Sequence, residues 1–205
     1  MTTRATGHPS RAGAVTTFIV TNVCALIAWL YFFVLNRAEI VRPYRGTDRP
    51  NLILVSNHQS PLDTCLIALA AFFPRLLLRP RLHPWSIAAA EYWFSNGIIA
   101  WLARHLRCLP ARAGIRDASA VRRLCRVLPN GMTIFFPEGR RSPDGIVARG
   151  LPGAGFVARA TRARIVPVAI DGLLEAMPYH RPWPRIGKRL AIAFGDPVPC
   201  EDLFA

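Results

Sequence analysis

At 205 residues, with 52% hydrophobic positions, the chain has the length of one domain and enough apolar material to bury a core, which excludes disorder and a small stapled scaffold. Against 26 Lys+Arg stand 12 Asp+Glu, a net charge of +14 carried almost wholly by arginine, since Lys188 is the one lysine. A field of this sign excludes a basic partner and favours polyanions, namely nucleic acid, anionic lipid or an acidic carrier protein.

Residues 1–13 are polar and basic and read as a loose tail. From Ala14 to Asn36 no charged residue occurs, a run of 23 positions, roughly 34 Å as a helix and long enough to cross a bilayer core. Thr16, Thr17, Thr21 and Asn22 dilute its first half, so both a spanning helix and one lying within a leaflet remain open. A cleaved signal peptide is the competing reading. The run is long for one, and no small-x-small site precedes the following arginines. Arg37, Arg42, Arg45 and Arg49 after the segment outnumber Arg4 and Arg11 before it, which places the remainder, 37–205, on the cytoplasmic side.

In that remainder short apolar runs alternate with helical stretches. Asn51–Ser56 reads as a buried strand and Pro61–Phe73 as a helix. Ser86–Ala89 reads as a strand, Tyr92–His105 as a helix, Arg107–Pro110 as a short strand and Ile115–Leu128 as a helix. Gly131–Phe136 is a strand after a Pro-Asn-Gly turn, and Gly155–Arg162 a helix before the strands Ile165–Ile170 and Leu190–Phe194. The alternation predicts an α/β fold with a mixed, largely parallel sheet flanked by helices, whose ligand loops lie at the strand ends. The five cysteines are odd in number and scattered, which argues against a disulfide framework or a structural zinc site and fits a reducing compartment.

Two loops carry residues suited to chemistry. In Asn57-His58-Gln59-Ser60-Pro61-Leu62-Asp63, Ser60 suits a helix N-cap, Pro61 the first helical position and Asp63 the reciprocal carboxylate of a capping box. Capping leaves His58 unexplained. A carboxylate folding back onto it would accept from one ring nitrogen and leave the other as a base. No third ligand stands at metal spacing. In Phe136-Pro137-Glu138-Gly139-Arg140-Arg141-Ser142, glycine permits close backbone approach and two arginines offer a phosphate-sized positive site; alone, the loop reads better as a solvated basic turn.

Together these blocks resemble the glycerolipid acyltransferases. Asn57–Asp63 is similar to their NHxSxxD block with its His-x4-Asp core, and Phe136–Ser142 to their FPEGTRS block. Cys108–Arg112 falls where the family carries a short apolar stretch ending in arginine, and Val166–Ile170 is similar to its terminal VPVAI block. Order and spacing agree from about residue 50 to 196, with the nearest likeness to bacterial 1-acyl-glycerol-3-phosphate acyltransferases. The resemblance implies that His58 is the general base on the acceptor hydroxyl, that Asp63 orients it, and that no covalent enzyme intermediate forms. It implies acceptor binding by Glu138, Gly139 and Arg141, with Arg140 beside them in place of the family's threonine, and by Arg112.

The implied partners are a lysophospholipid acceptor, an acyl thioester of acyl carrier protein or coenzyme A, and anionic membrane lipids. No metal or redox cofactor is called for. The implied location is the cytoplasmic face of a bacterial inner membrane. The same chemistry on another lyso-lipid, such as lyso-ornithine lipid, is the alternative. A nucleic-acid-binding module rests on charge alone, without a recognition signature, and a non-catalytic scaffold sits poorly with intact His58, Asp63, Glu138 and Arg141.

Overall fold

The computed structural model describes residues 11–112, 117–181 and 183–198. In chain order the strands are β1 (Arg37–Arg42), β2 (Leu52–Ser56), β3 (Trp85–Ala89), β4 (Cys108–Ala111), β5 (Met132–Phe135), β6 (Arg164–Asp171) and β7 (Arg189–Phe194). The helices are α1 (Arg11–Trp29, continued as a π-helical segment Leu30–Leu35), α2 (Asp63–Phe72), α3 (Arg75–Leu78), α4 (Ala90–Trp93), α5 (Gly97–His105), α6 (Ala118–Val127), α7 (Gly153–Thr161) and α8 (Leu173–Ala176). The strands form one sheet of order β1-β7-β6-β2-β5-β3-β4. β2 to β6 run parallel, β7 pairs antiparallel with β6, and β1 pairs parallel with β7. The predicted mixed, largely parallel architecture is the observed one.

Alternation along the central strands divides the core. Leu52 and Leu54 of β2, with Met132 and Ile134 of β5, face α1 and α2, while Ile53 turns to the opposite side against Leu124 of α6 and Val157 of α7. Burying each such side chain contributes about 1.5–3 kcal/mol. Because five strands are parallel, their carboxyl ends share one edge, and the loops after β2 and β5 become neighbours there, with Val55 in register with Phe135.

The long apolar segment forms a helix that starts at Arg11, inside the expected tail. Its threonines are accommodated locally, since the hydroxyls of Thr16, Thr17 and Thr21 donate to carbonyls four residues back at 2.7–3.0 Å. One stripe packs on the domain. Thr21, Ala25 and Phe32 are buried, Trp29 stacks on Phe73 at 5.6 Å, and Thr17 Oγ1 lies 2.9 Å from His105 Nδ1. The opposite stripe, Val15, Ile19, Val23, Leu26, Leu30 and Val34, is apolar and exposed.

Three differences from the sequence-based expectation have physical reasons. The expected helix 92–105 is two helices, because Asn96 caps α5 by accepting from Ile98 N at 2.9 Å and Ile99 N at 3.5 Å. β1 was unforeseen because RAEIVR is an almost wholly exposed edge strand, held by its ladder to β7 and not by a buried face. Pro110 is tolerated inside β4 because β4 is the other edge. The start of the expected helix 115–128 lies partly outside the described residues, and the helix is observed from Ala118, capped by Asp117.

A stability consequence arises at the turn before β3. Burial, aided by the Arg107 guanidinium, lowers the His83 imidazole from 6.5 to about 4, and its buried Nε2 has no hydrogen-bond partner. The unfolded chain takes up this proton near pH 6.5 while the folded chain refuses it until about 4. Stability therefore holds above 6.5 and falls as the pH drops towards 4, by about 1.4 kcal/mol per pH unit. Denaturant titrations at pH 7 and 4.5 are expected to show this difference in the wild type and a much smaller one in His83→Gln.

Candidate active site

The loop leaving β2 is tied down on three sides. Towards β6, Asn57 donates to Ile170 O and accepts from Ile170 N, both at 2.9 Å, and Gln59 Oε1 accepts from Leu173 N at 3.1 Å. Towards β5, His58 N donates to Glu138 Oε1 at 2.9 Å, and Ser142 N donates to His58 O at 2.7 Å. Towards α2, Asp63 Oδ2 accepts from Gln59 N at 2.6 Å, Ser60 N at 2.9 Å and His58 Nδ1 at 2.8 Å. Ser60 Oγ accepts from Leu62 N at 3.1 Å. α2 begins at Asp63 with Leu62 at its N-cap and no side-chain cap, so Ser60 and Pro61, expected at the N-cap and first helical position, form the turn that precedes the helix, and one Asp63 oxygen holds that turn and the imidazole together.

An ionised carboxylate only accepts, so Nδ1 carries the proton of this bond and Nε2 is the ring nitrogen that Asp63 leaves unengaged. The ring stacks on Phe136, centroids 4.0 Å apart and planes 13° apart, which fixes its tilt. His58 keeps 21% side-chain exposure while Asp63 has none. Burial pushes the Asp63 carboxyl above the usual carboxylate range, against the opposing pull of the His58 hydrogen bond and the two backbone N–H groups. Burial also pushes the neighbouring Cys65 thiol up to about 12, so it stays protonated near neutrality and is unsuited to nucleophilic attack.

The second loop follows β5 at the same edge. Glu138 is buried, and both its oxygens are occupied, by His58 N and by Ala148 N at 2.9 Å each. It therefore braces the two loops against each other. Gly139 adopts φ +70, a left-handed conformation that a side chain would strain. Gly139 and Arg140 are exposed, and Arg141 is half-buried with its guanidinium 4.6 Å from the centroid of the Tyr179 ring. Arg112 is exposed just beyond β4, on the same edge but across β5 and β3 from His58, and its backbone N–H donates to Asp117. The structure thus brings His58, Asp63, Glu138, Gly139, Arg140 and Arg141 to adjacent loops and leaves Arg112 at the sheet margin. Sequence reasoning missed the braces Asn57, Gln59 and Ser142, and it missed Tyr179, which comes from a loop some forty residues downstream. Among the described residues no group of three His, Cys, Asp or Glu side chains gathers as a metal cage.

A parallel-sheet α/β domain whose strand-end loops hold a buried carboxylate against a histidine defines the class, and the acyltransferase family pattern matches residues 36–171. The chain belongs to the glycerolipid acyltransferase family. It is 33% identical over 158 residues to the N-acylphosphatidylethanolamine synthase of Arabidopsis thaliana, covering 72% of this chain and 55% of that protein. It is 25% identical over 167 residues to the 1-acyl-sn-glycerol-3-phosphate acyltransferase of Streptococcus pneumoniae, covering 78% of this chain and 56% of that protein. The chain spans about half the length of these curated relatives. The crystal structure of the 1-acyl-sn-glycerophosphate (LPA) acyltransferase PlsC of Thermotoga maritima has the same fold, with TM-score 0.71 and 24% identity over 97% of this chain and 76% of that one.

Proposed function

We propose that the protein is a membrane-bound O-acyltransferase that moves a fatty acyl group from an acyl thioester to the free hydroxyl of a lysophospholipid, with 1-acyl-sn-glycerol-3-phosphate as acceptor and phosphatidic acid as product. The observation that carries this reading is the His58 ring, held through Nδ1 by a buried carboxylate beside a loop bearing Arg140 and Arg141. Nε2 takes the proton of the acceptor hydroxyl as its oxygen attacks the thioester carbonyl. The C–O ester bond forms, the C–S bond breaks, and the proton leaves with the thiol. Gly139, Arg140 and Arg141 receive the acceptor phosphate, with Arg112 a more distant contributor. Both Glu138 oxygens are engaged by backbone, so its contribution to acceptor binding runs through the loops it braces.

Tyr179 extends the head-group site by holding the Arg141 guanidinium over its ring. Tyr179→Ala is expected to raise the KM for the acceptor roughly fivefold with little change in kcat, and Tyr179→Phe to restore it, since the ring and not the hydroxyl makes the contact. Steady-state kinetics on the two variants check this.

The membrane reading is refined by packing. Thr17 to Phe32 lie along the domain while the exposed stripe is apolar, which supports an in-plane helix in one leaflet over a spanning one. We place the membrane helix at 11–35 and the acyltransferase domain at 37–205, on the cytoplasmic face of a bacterial inner membrane. Arg140 adds charge where the motif has threonine, which favours a second acceptor bearing more negative charge or another lyso-lipid head group. Product analysis with a panel containing lysophosphatidic acid, lysophosphatidylethanolamine and lyso-ornithine lipid tests the assignment. Preference for lysophosphatidic acid supports it, and turnover confined to another acceptor replaces it.

A further inference from the structure

The loop between α8 and β7, residues 177–188, takes no part in the chemistry above beyond Tyr179. From 177 to 189 the sequence carries Arg181, Arg185, Lys188 and Arg189 and no acidic residue. Lys188 lies 3.9 Å from Glu175, whereas Arg181 and Arg185 are exposed and form no ion pair among the described residues. With Trp183 and Pro184 they line a concavity of about 390 Å³. Trp183 is 79% exposed and Ile186 64%. The loop is closed on itself, with Arg181 N donating to Pro178 O at 3.0 Å and Arg185 N to Ala176 O at 2.7 Å. An indole between two guanidinium groups suits a membrane interface, where the ring sits at head-group depth and the arginines meet phosphates.

The place of the loop in the fold selects the partner. β7 runs antiparallel to β6, with Ala191 opposite Asp171, and β1 runs parallel to β7 from Arg37. The loop and the last turn of α1 therefore stand at the carboxyl end of β6, the edge where Asn57 bonds Ile170 beside His58. Three hydrogen bonds staple the loop to that turn. The Tyr31 hydroxyl donates to Arg185 O at 2.8 Å, Gly187 N to Leu35 O at 2.8 Å and Lys188 N to Asn36 Oδ1 at 2.9 Å. At its other end Tyr179 carries the Arg141 guanidinium. The loop thus runs between the arginine assigned to the acceptor phosphate and the end of α1, where Leu30, Val34 and Leu35 are exposed. Continuity with this apolar end favours a lipid surface over a free anion, which has no use for Trp183 or Ile186.

We infer that loop 177–188 is a second membrane contact beside α1. Arg181 and Arg185 bind the phosphates of anionic lipids, Trp183 and Ile186 enter the head-group layer, and the catalytic edge is held against the interface from which the acceptor reaches Arg141. This inference rests on the acyl-transfer reading and names the edge that meets the bilayer. For the test, the full chain is reconstituted into phosphatidylcholine vesicles with or without phosphatidylglycerol. Quenching of tryptophan emission by brominated lipids is compared between the wild type and Trp183→Phe, whose difference isolates Trp183 from the rest of the five tryptophans. Initial rates with one acyl thioester are measured for the wild type and R181E/R185E, on lysophosphatidic acid borne in the vesicles and on a short-chain analogue dispersed as monomers in neutral detergent.

The Trp183 component is expected to be quenched by brominated lipid, more strongly with phosphatidylglycerol present. R181E/R185E is expected to raise the apparent KM for the vesicle-borne acceptor at least about tenfold in phosphatidylglycerol vesicles, while the rate on the short-chain acceptor stays within about twofold. The milder R181A/R185A shifts the vesicle value in the same direction, and an unchanged melting temperature separates the effect from misfolding. An unchanged vesicle KM, or a Trp183 component quenched by aqueous iodide and not by brominated lipid, overturns the inference. So does equal loss on both acceptors, which places the arginines in the acceptor site itself. Binding of inorganic phosphate through these arginines without lipid quenching assigns the concavity to a free anion and overturns it as well. If Trp183 is quenched by lipid and R181E/R185E abolishes the quenching, but the wild type turns over no acceptor, the membrane contact stands and the acyl-transfer reading fails.

Discussion

Replacing His58 by alanine is expected to lower acyl transfer by at least about a hundredfold, the scale contributed by a positioned general base. Folding should survive, because the loop keeps its other ties. Glu138 still accepts from the residue 58 backbone N–H, Ser142 still donates to its carbonyl, and Asn57 and Gln59 remain fastened to β6 and its successor turn. The loss should fall on kcat, with the acceptor KM little changed, since the arginines proposed for the acceptor phosphate come from a different loop. A variant that melts like the wild type and retains more than a tenth of its activity contradicts the role assigned to His58.

The second large effect belongs to Asp63, and the choice of replacement separates its two tasks. Asp63→Ala removes the acceptor for His58 Nδ1, Gln59 N and Ser60 N together, in a site with no solvent exposure. Leaving buried donors without partners costs about 1–3 kcal/mol for each group, so this variant should be both unstable and inactive. Asp63→Asn keeps one carbonyl oxygen for the helix start and removes the cost of a buried charge, so its stability should lie within about 2 kcal/mol of the wild type. It no longer holds His58 in the required tautomer against a full negative charge, and kcat should fall by at least about a hundredfold. Melting curves and kinetics on the pair check the separation. If Asp63→Asn is as active as the wild type, the carboxylate serves only the helix start.

Much of this site was legible before any coordinates, because its chemistry is local in sequence. Ser60, Pro61 and Asp63 announce a helix start, and His58 stands just outside it where a capping residue has no use for an imidazole. The parallel sheet followed from the alternation of aliphatic runs with helical stretches, and the strand boundaries at β2, β5 and β6 fall within a residue or two of the observed ones. What stayed hidden depends on contacts distant along the chain. Glu138 reads as a ligand-binding carboxylate in a glycine–arginine loop, yet its oxygens are engaged by backbone groups of the residues at 58 and 148. Tyr179 has no motif around it and gains significance only where it meets Arg141. β1 escaped notice because an exposed edge strand needs no apolar alternation, and the helix behaviour of α1 escaped because an uncharged run reads the same whether one stripe or none packs on a domain.

The same comparison explains the charge. Arginines gather at the catalytic edge, where Arg140 and Arg141 stand, and on the α6–α7 layer facing away from α1.

The most direct measurement is thiol release by the purified wild-type protein, given an acyl thioester and 1-acyl-sn-glycerol-3-phosphate in detergent, with phosphatidic acid quantified alongside. The account predicts thiol and phosphatidic acid appearing in equal amounts, dependent on the acceptor and absent in His58→Ala. Thiol release without acylated product, or no release with either the carrier or the coenzyme A thioester, contradicts it.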